Sequence, residues 1–163
     1  MKKSFILLVF FPYILFSQIS IDPNPFEVNQ SVTITVDINS NDTNCNSISN
    51  PDSVYMHAGI GDDNSPWGYS VVGNWGLDDG VGQMSDNGDG TWSITIIPED
   101  YFSLNASQAS STTSMGMVFR NEDGTQELKD QGCSDFFINV GSFQVELINP
   151  DNSGIILVDY NGS

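Results

Sequence analysis

The chain has 163 residues, of which 39% are hydrophobic, and 21 acidic residues face four basic ones, giving a formal net charge of −17. This length suffices for one well-packed domain. Because so acidic a surface repels phosphate backbones and anionic headgroups, nucleic acid and lipid surfaces are not expected as partners.

The chain opens with two lysines, an apolar run over residues 5–16 and the small residue Ser17. This order is typical of a secretory signal peptide, and the run is shorter than the roughly 20 residues of a membrane span. We predict a signal peptide over 1–17, with an uncleaved membrane anchor as the alternative. The exported chain would be secreted (periplasm, cell surface or extracellular medium), with no membrane contact after cleavage. From Gln18 onward, two basic residues face 21 acidic ones, a net charge of −19.

Alternating apolar and polar residues predict strand after strand along the rest of the chain. The clearest case is 31–39, where four aliphatic residues alternate with polar ones. A Gly- and Asn-rich turn over 86–90 predicts a hairpin, since such residues adopt positive φ at little cost. The region 59–80 is expected to be irregular. The further predicted strands are 53–58, 81–85, 91–97, 115–121 and 136–140.

One short helix is predicted over 104–110, with Ser103 as its N-cap. So many strands with so little helix predict an all-β, Ig-like antiparallel β-sandwich preceded by a signal peptide. We assign this sandwich to 18–142. The strands predicted within 143–163 have little left to pack on and are interpreted as the start of a second, truncated β module. The alternative is that they complete the first sandwich.

The two cysteines, Cys45 and Cys133, would reach an oxidising compartment, where a pair of thiols usually forms a disulfide. A loop of that length corresponds to at most about 4.5 kcal/mol of stabilisation in the chain-entropy account. Metal ligation and a redox pair are alternatives that lack neighbouring ligands and C-x-x-C spacing.

Nothing in the sequence looks like a complete catalytic site. His57 is the single histidine, and no G-x-S-x-G motif occurs. A pair of carboxylates placed as in glycosidases stays open as an alternative. No cofactor and no metal are expected; calcium at the Asp-rich turns is an alternative, although the EF-hand pattern is absent and turn formation accounts for these acids.

Aromatic residues give the strongest functional signal. Between residues 55 and 75 the chain carries Tyr55, His57, Trp67, Tyr69 and Trp75. Both tryptophans stand in Gly-rich polar segments, unlike a core Trp within an apolar strand. Flat rings stack on the C–H faces of sugars and leave polar neighbours for the hydroxyls, so this set predicts a glycan site. The alternative is that the two tryptophans pin a long loop onto the sandwich.

The order of several motifs resembles the starch-binding β-sandwich modules of carbohydrate-binding families 25 and 26, and most closely the N-terminal module of secreted α-amylase-like enzymes of Bacteroidetes. These motifs are V-Y-M-H, the Trp-bearing segment 67–75, the G-D-G-T-W hairpin, V-F-R-N with D-G, and D-F-F-I, spread over about 20–142. The ending Phe16-Ser17-Gln18 of the opening segment is similar to signal peptides of that group.

The resemblance implies a non-catalytic module that binds starch-like α-glucans as an accessory to a downstream catalytic domain. It places Tyr55, His57, Trp67 and Trp75 on the sugar platform. A structural Ig-like spacer or adhesion module without a sugar site is the alternative function, and an enzyme in its own right is the third. Exposed and coplanar rings of Trp67 and Trp75 would favour the binding module over the spacer.

Overall fold

The computed structural model describes residues 18–39 and 47–141. Within them lie nine strands, two short α-helices and one 3-10 helix over Gln131–Cys133. The strands are β1 Ile19–Asp22, β2 Val32–Asp37, β3 Val54–Asp62, β4 Ser65–Val72, β5 Ser85–Asp86, β6 Thr91–Ile96, β7 Ser114–Asn121, β8 Glu127–Leu128 and β9 Phe136–Asn139; the helices are α1 Pro98–Tyr101 and α2 Ala106–Ser111.

Four antiparallel strands form the first sheet, in the order β1-β2-β6-β5. Its centre is the pairing of β2 with β6, in which Ile34 lies opposite Ile94 and Val36 opposite Trp92. Because paired residues share a face, the alternation in both strands directs their apolar side chains to one side. The predicted hairpin at 86–90 is confirmed: it joins β5 to β6.

The second sheet is also antiparallel, with the order β4-β3-β7, and both β8 and β9 pair with the free side of β7. Strands β3 and β7 are paired over their whole shared length, from Val54 opposite Asn121 to Gly61 opposite Ser114. Every residue of β7 is buried. This strand is therefore covered on both faces, by the core on one side and by side chains of the outer face on the other.

The hydrophobic core lies between the two sheets, which confirms the predicted all-β sandwich. Trp92 of the first sheet is buried in this core, as expected of a Trp within an apolar strand. The alternation of β3 places Met56, Ala58 and Ile60 in the core. The residues between them, such as Tyr55 and His57, therefore belong to the outer face of the second sheet.

Two local strand predictions were wrong. The region predicted to be irregular contains the end of β3 and all of β4, joined by a turn in which Asp62 accepts hydrogen bonds from the backbone N–H groups of Asn64 and Ser65 (both 3.0 Å). The segment 81–85 is not a continuous strand. Its first part follows the edge of β3 instead, where the N–H of Met56 donates to the carbonyl of Gly82 at 2.8 Å.

The predicted helix begins later than expected, at Ala106, and Asn105 is its N-cap in place of Ser103. The Asn105 side chain accepts hydrogen bonds from the N–H groups of Ser107 and Gln108, and the Gln108 side chain accepts one from the N–H of Asn105. This reciprocal capping box fixes the start of the helix. Ser103 has a φ of 53°, which is incompatible with the extended backbone of an N-cap.

Several predictions concern residues outside the described ranges. The signal peptide at 1–17, Cys45 and the second module at 143–163 all lie there. Among the described residues no cysteine is free. Cys133 belongs to the described part and Cys45 does not, so the Cys45–Cys133 disulfide stays a prediction.

Candidate functional site: an aromatic band on the outer face of the second sheet

The predicted binding residues come from three neighbouring segments. Tyr55 and His57 lie on β3, Trp67 and Tyr69 lie on β4, and Trp75 follows β4 in the loop before β5. Trp67 is thus a strand residue, whereas both tryptophans were predicted to lie in a loop. Three of these side chains are linked by ring contacts, with His57 touching both Trp67 and Trp75.

Trp67 lies across two glycines that face each other in neighbouring strands. Gly59 of β3 is paired with Gly116 of β7. A Cβ on Gly59 would stand 2.7 Å from Cδ2 of Trp67, and a Cβ on Gly116 would stand 2.6 Å from Nε1 of the same ring. Both distances are too short for real atoms, so the indole occupies the space that two side chains would otherwise fill. The Gly–Gly pair is what allows this ring to lie on the sheet.

His57 connects the two tryptophans. Its ring centre lies 5.8 Å from that of Trp67, with an angle of 28° between the planes, and 5.6 Å from that of Trp75, with an angle of 86°. One indole is thus stacked on the imidazole and the other meets it edge-on, so the two indole planes are steeply inclined to each other. The rings form a continuous but twisted band. The coplanar arrangement of Trp67 and Trp75 expected of a binding module is not present, so this geometry does not by itself favour a binding module over a spacer.

Trp75 is 46% exposed, and its loop is held from beneath by Arg120, which is completely buried. Nη2 of Arg120 donates hydrogen bonds to the carbonyls of Asn74 (2.7 Å) and Leu77 (2.9 Å), one on each side of Trp75. Nη1 donates to the carbonyl of Asn121 (2.8 Å) at the end of β7 and to that of Glu122 (3.1 Å) in the β7–β8 turn. One guanidinium thus links the Trp75 loop to this turn.

Tyr55 supports this arrangement from within and is only 1% exposed. The guanidinium of Arg120 lies over its ring, and its hydroxyl donates a hydrogen bond to Asp78 in the Trp75 loop. Burial, and next the hydrogen bond to Asp78, raise the pKa of Tyr55. Its buried ring offers little surface to a ligand, so within the band Tyr55 acts as a support.

Tyr69 is separate from the band. It packs against the core cluster, and its hydroxyl donates a hydrogen bond to Asp62 at 3.0 Å. This hydrogen bond is the first cause of the lowered pKa of Asp62. Tyr69 makes none of the ring contacts found among His57, Trp67 and Trp75 in the described structure.

His57 is half-buried under the two indoles. Burial lowers its pKa, and the nearby backbone of Gly73 opposes this with a smaller upward effect. Among the described atoms, no hydrogen bond of good geometry reaches its buried Nδ1. The imidazole is therefore kept neutral near pH 7 and adds a flat, uncharged ring to the band.

A family model described as a domain of unknown function (DUF8578) matches residues 19–128. The chain belongs to this family. No curated protein matches the chain. The DUF8578 match includes the whole Trp75–His57–Trp67 band and Arg120, and it ends before β9.

Two residues of the outer face were not identified from the sequence. Phe137 is 51% exposed on β9; the F-F-I-N alternation could have revealed it, because its neighbour Phe136 is the core residue. No local sequence pattern identifies Arg120 as a support of the Trp75 loop, because its hydrogen-bond partners in that loop lie far earlier in the chain, before β5.

Acidic residues are frequent in the turns of the described structure. Within 18–39 and 47–141, no cluster of three or more His, Cys, Asp or Glu side chains could hold a metal ion. Several acidic residues of the turns instead accept hydrogen bonds from nearby backbone N–H groups, as Asp86 does from Gly88 and Asp89 from Thr91.

The helices of this same part of the chain are all too short or too polar to cross a membrane.

Proposed function

We propose that this chain is a non-catalytic carbohydrate-binding module that binds α-glucans through the band formed by Trp75, His57 and Trp67. The observation that carries the proposal is the contiguity of three flat rings on one sheet face, with Trp75 nearly half exposed. Rings of this kind offer the contact area that the C–H faces of sugars need. They supply neither a nucleophile nor a paired proton acceptor, which is why the proposed role is binding.

Charge favours a neutral ligand. The chain carries a net charge of −17, and Arg120, the basic side chain beneath the band, donates its hydrogen bonds to backbone carbonyls. An anionic ligand would be repelled by this field, whereas an uncharged sugar is not. Neutral polysaccharides therefore fit the face better than acidic ones.

The angle between the rings favours a curved chain. Two indoles so steeply inclined cannot both lie flat on a planar surface such as the face of a crystalline polysaccharide. A chain that twists along its length can present a sugar face to each ring in turn. Starch-like α-glucans have this property, and the resemblance to starch-binding modules supports the same ligand class. That resemblance also supports secretion and a downstream amylase-type catalytic domain as parts of the proposal.

A second candidate is a structural spacer without a sugar site. The observation that favours it is the packing of Trp67 on Gly59 and Gly116, because a ring that covers two glycines also stabilises the sheet. The indole of Trp75 is nearly half exposed, as a ligand contact requires, but it also packs against His57 and the turn at Gly124, as a loop anchor would. Sugar binding itself therefore decides between the two candidates.

The test is native electrophoresis of the full chain in gels with and without soluble starch, with hydroxyethylcellulose as the β-glucan comparison. We expect starch to retard the wild type and cellulose to have little effect. Trp75→Ala should abolish the retardation, and Ile97→Ala should retain it, because Ile97 is an exposed aliphatic residue next to β6 of the other sheet. Equal mobility of the wild type in all gels would reject sugar binding and leave the spacer.

A further inference from the structure

Phe137 lies in the same row of the second sheet as the two glycines under Trp67. It is opposite Gly116 in the pairing of β7 with β9, and Gly116 is opposite Gly59 in the pairing of β3 with β7. Paired residues share a face, so Phe137 stands on the outer face next to Trp67. Phe136, one residue earlier, points into the core.

The Phe137 and Trp67 rings approach each other above Gly116. Cε1 of Phe137 lies 3.0 Å from the position that a Cβ would take on Gly116, and Nε1 of Trp67 lies 2.6 Å from that same position. Both rings therefore border the space that the missing side chain leaves open. Phe137 extends the row of rings beyond the pyrrole edge of Trp67, and half of its surface is exposed.

The two ends of the extended band are far apart along β7. The Trp75 loop is tied to Arg120 near the end of this strand, whereas Phe137 is paired with Gly116, four residues earlier. Four strand residues span about 13 Å. The band therefore runs from Trp75 through His57 and Trp67 to Phe137, and a ligand that touches both end rings must be an extended molecule.

We propose that Phe137 is a further sugar-binding residue, which forms a subsite beyond Trp67 and makes the face select long oligosaccharides over short ones. This inference rests on the proposed function. It is supported by the geometry of the position: the Phe137 ring lies beside Trp67 above Gly116, and its exposed half continues the apolar surface of the band.

The experiment is titration calorimetry of the full chain with maltotriose and with maltoheptaose. Four variants are compared with the wild type: Phe137→Ala, Phe137→Tyr, Trp75→Ala and Ile97→Ala. We expect Phe137→Ala to weaken maltoheptaose binding about tenfold and to change maltotriose binding less than about twofold. Phe137→Tyr keeps the ring and should bind both sugars as the wild type does, as should Ile97→Ala.

The outcomes separate the two proposals. If the wild type binds maltoheptaose, Trp75→Ala loses this binding and Phe137→Ala does not, the sugar site stands and the role of Phe137 is overturned. An equal loss for both sugars in Phe137→Ala would overturn the chain-length selectivity. If the wild type binds neither sugar and is not retarded by starch, the proposed function has failed and this inference fails with it.

Discussion

The guanidinium carbon of Arg120 lies 4.3 Å from the centre of the Tyr55 ring. These residues face each other in the pairing of β3 with β7, so the contact follows directly from the sheet register. The cation is attracted by the face of the ring, and its N–H groups remain free to reach the backbone of the Trp75 loop. A buried pair within the sheet thereby positions an exposed ring outside it.

Arg120→Lys should be strongly destabilising although it keeps the charge. A lysine ammonium is a compact point charge and cannot reach carbonyls of both the loop and the β7–β8 turn as the planar guanidinium does. We expect a loss of about 2 kcal/mol in the free energy of unfolding, measured with urea. The matched control is Lys129→Arg, the reverse exchange at a partly exposed site, which should change stability by less than about 0.5 kcal/mol. Equal effects of the two exchanges would contradict this role of Arg120.

Tyr55→Phe should have a smaller effect than Arg120→Lys. It keeps the ring under the guanidinium and removes only the hydroxyl that donates to Asp78. We expect a loss of about 1 kcal/mol in the free energy of unfolding. Because one anchor of the loop is lost, acrylamide should quench the tryptophan fluorescence more strongly, since Trp75 is the most exposed of the three tryptophans. Unchanged quenching would show that the hydrogen bond from Tyr55 to Asp78 does not restrain the loop.

Gly59→Ala should destabilise the protein only when Trp67 is present. A methyl group on Gly59 would overlap the indole, and overpacking of this kind costs about 1–3 kcal/mol. In a Trp67→Ala background the space is empty, and the same exchange should be neutral or stabilising, since alanine loses less backbone entropy than glycine. Urea unfolding of the four proteins completes a double-mutant cycle. An equal loss in the free energy of unfolding in both backgrounds would show that the strand itself, and not the Trp67 ring, disfavours a side chain at position 59.

Local sequence patterns predicted those parts of the fold that depend on neighbouring residues. The alternation in β2 and the Gly-rich turn before β6 specify a strand and a hairpin without any tertiary partner. Strand β4 is different, because Pro66 and Gly68 hide its strand character and its position depends on pairing with β3. A segment with so weak an alternation forms a strand only when it pairs with a neighbouring strand.

For the candidate site, the sequence indicated a cluster of aromatic rings but not the geometry of that cluster. A concentration of rings between residues 55 and 75 is visible in the sequence. Which rings meet depends on Gly59 and Gly116, which are distant in the sequence and are brought together only by the register of β3 and β7. For the same reason the sequence did not show that Tyr55 would be buried or that Phe137 would join the band.

The free energy of unfolding should decrease as the pH falls below about 6.5, because His57 becomes protonated more readily in the unfolded chain. Its folded-state pKa is lowered from the ordinary value of 6.5 by burial, so the unfolded chain binds the proton first and protonation favours unfolding. The stabilisation is present above pH 6.5 and is lost as the pH falls towards the folded-state pKa. Urea unfolding at pH 7.5 and 5.5 should show this difference in the wild type and a smaller one in His57→Gln. The same difference in both proteins would assign it to other groups.

Tyr69→Phe should leave the expected retardation by starch unchanged, in contrast to Trp75→Ala. The hydroxyl of Tyr69 is directed to Asp62, and its ring packs against the core rather than in the band. Removal of the Tyr69 hydroxyl should therefore raise the pKa of Asp62 towards the ordinary value of 3.8, because its hydrogen bond is the largest cause of the lowered pKa. NMR titration of the Asp62 carboxyl and starch electrophoresis on the same variant check both parts. Loss of starch retardation in Tyr69→Phe would contradict this prediction. It would show that the ligand contacts the β3–β4 turn and that the band alone does not form the site.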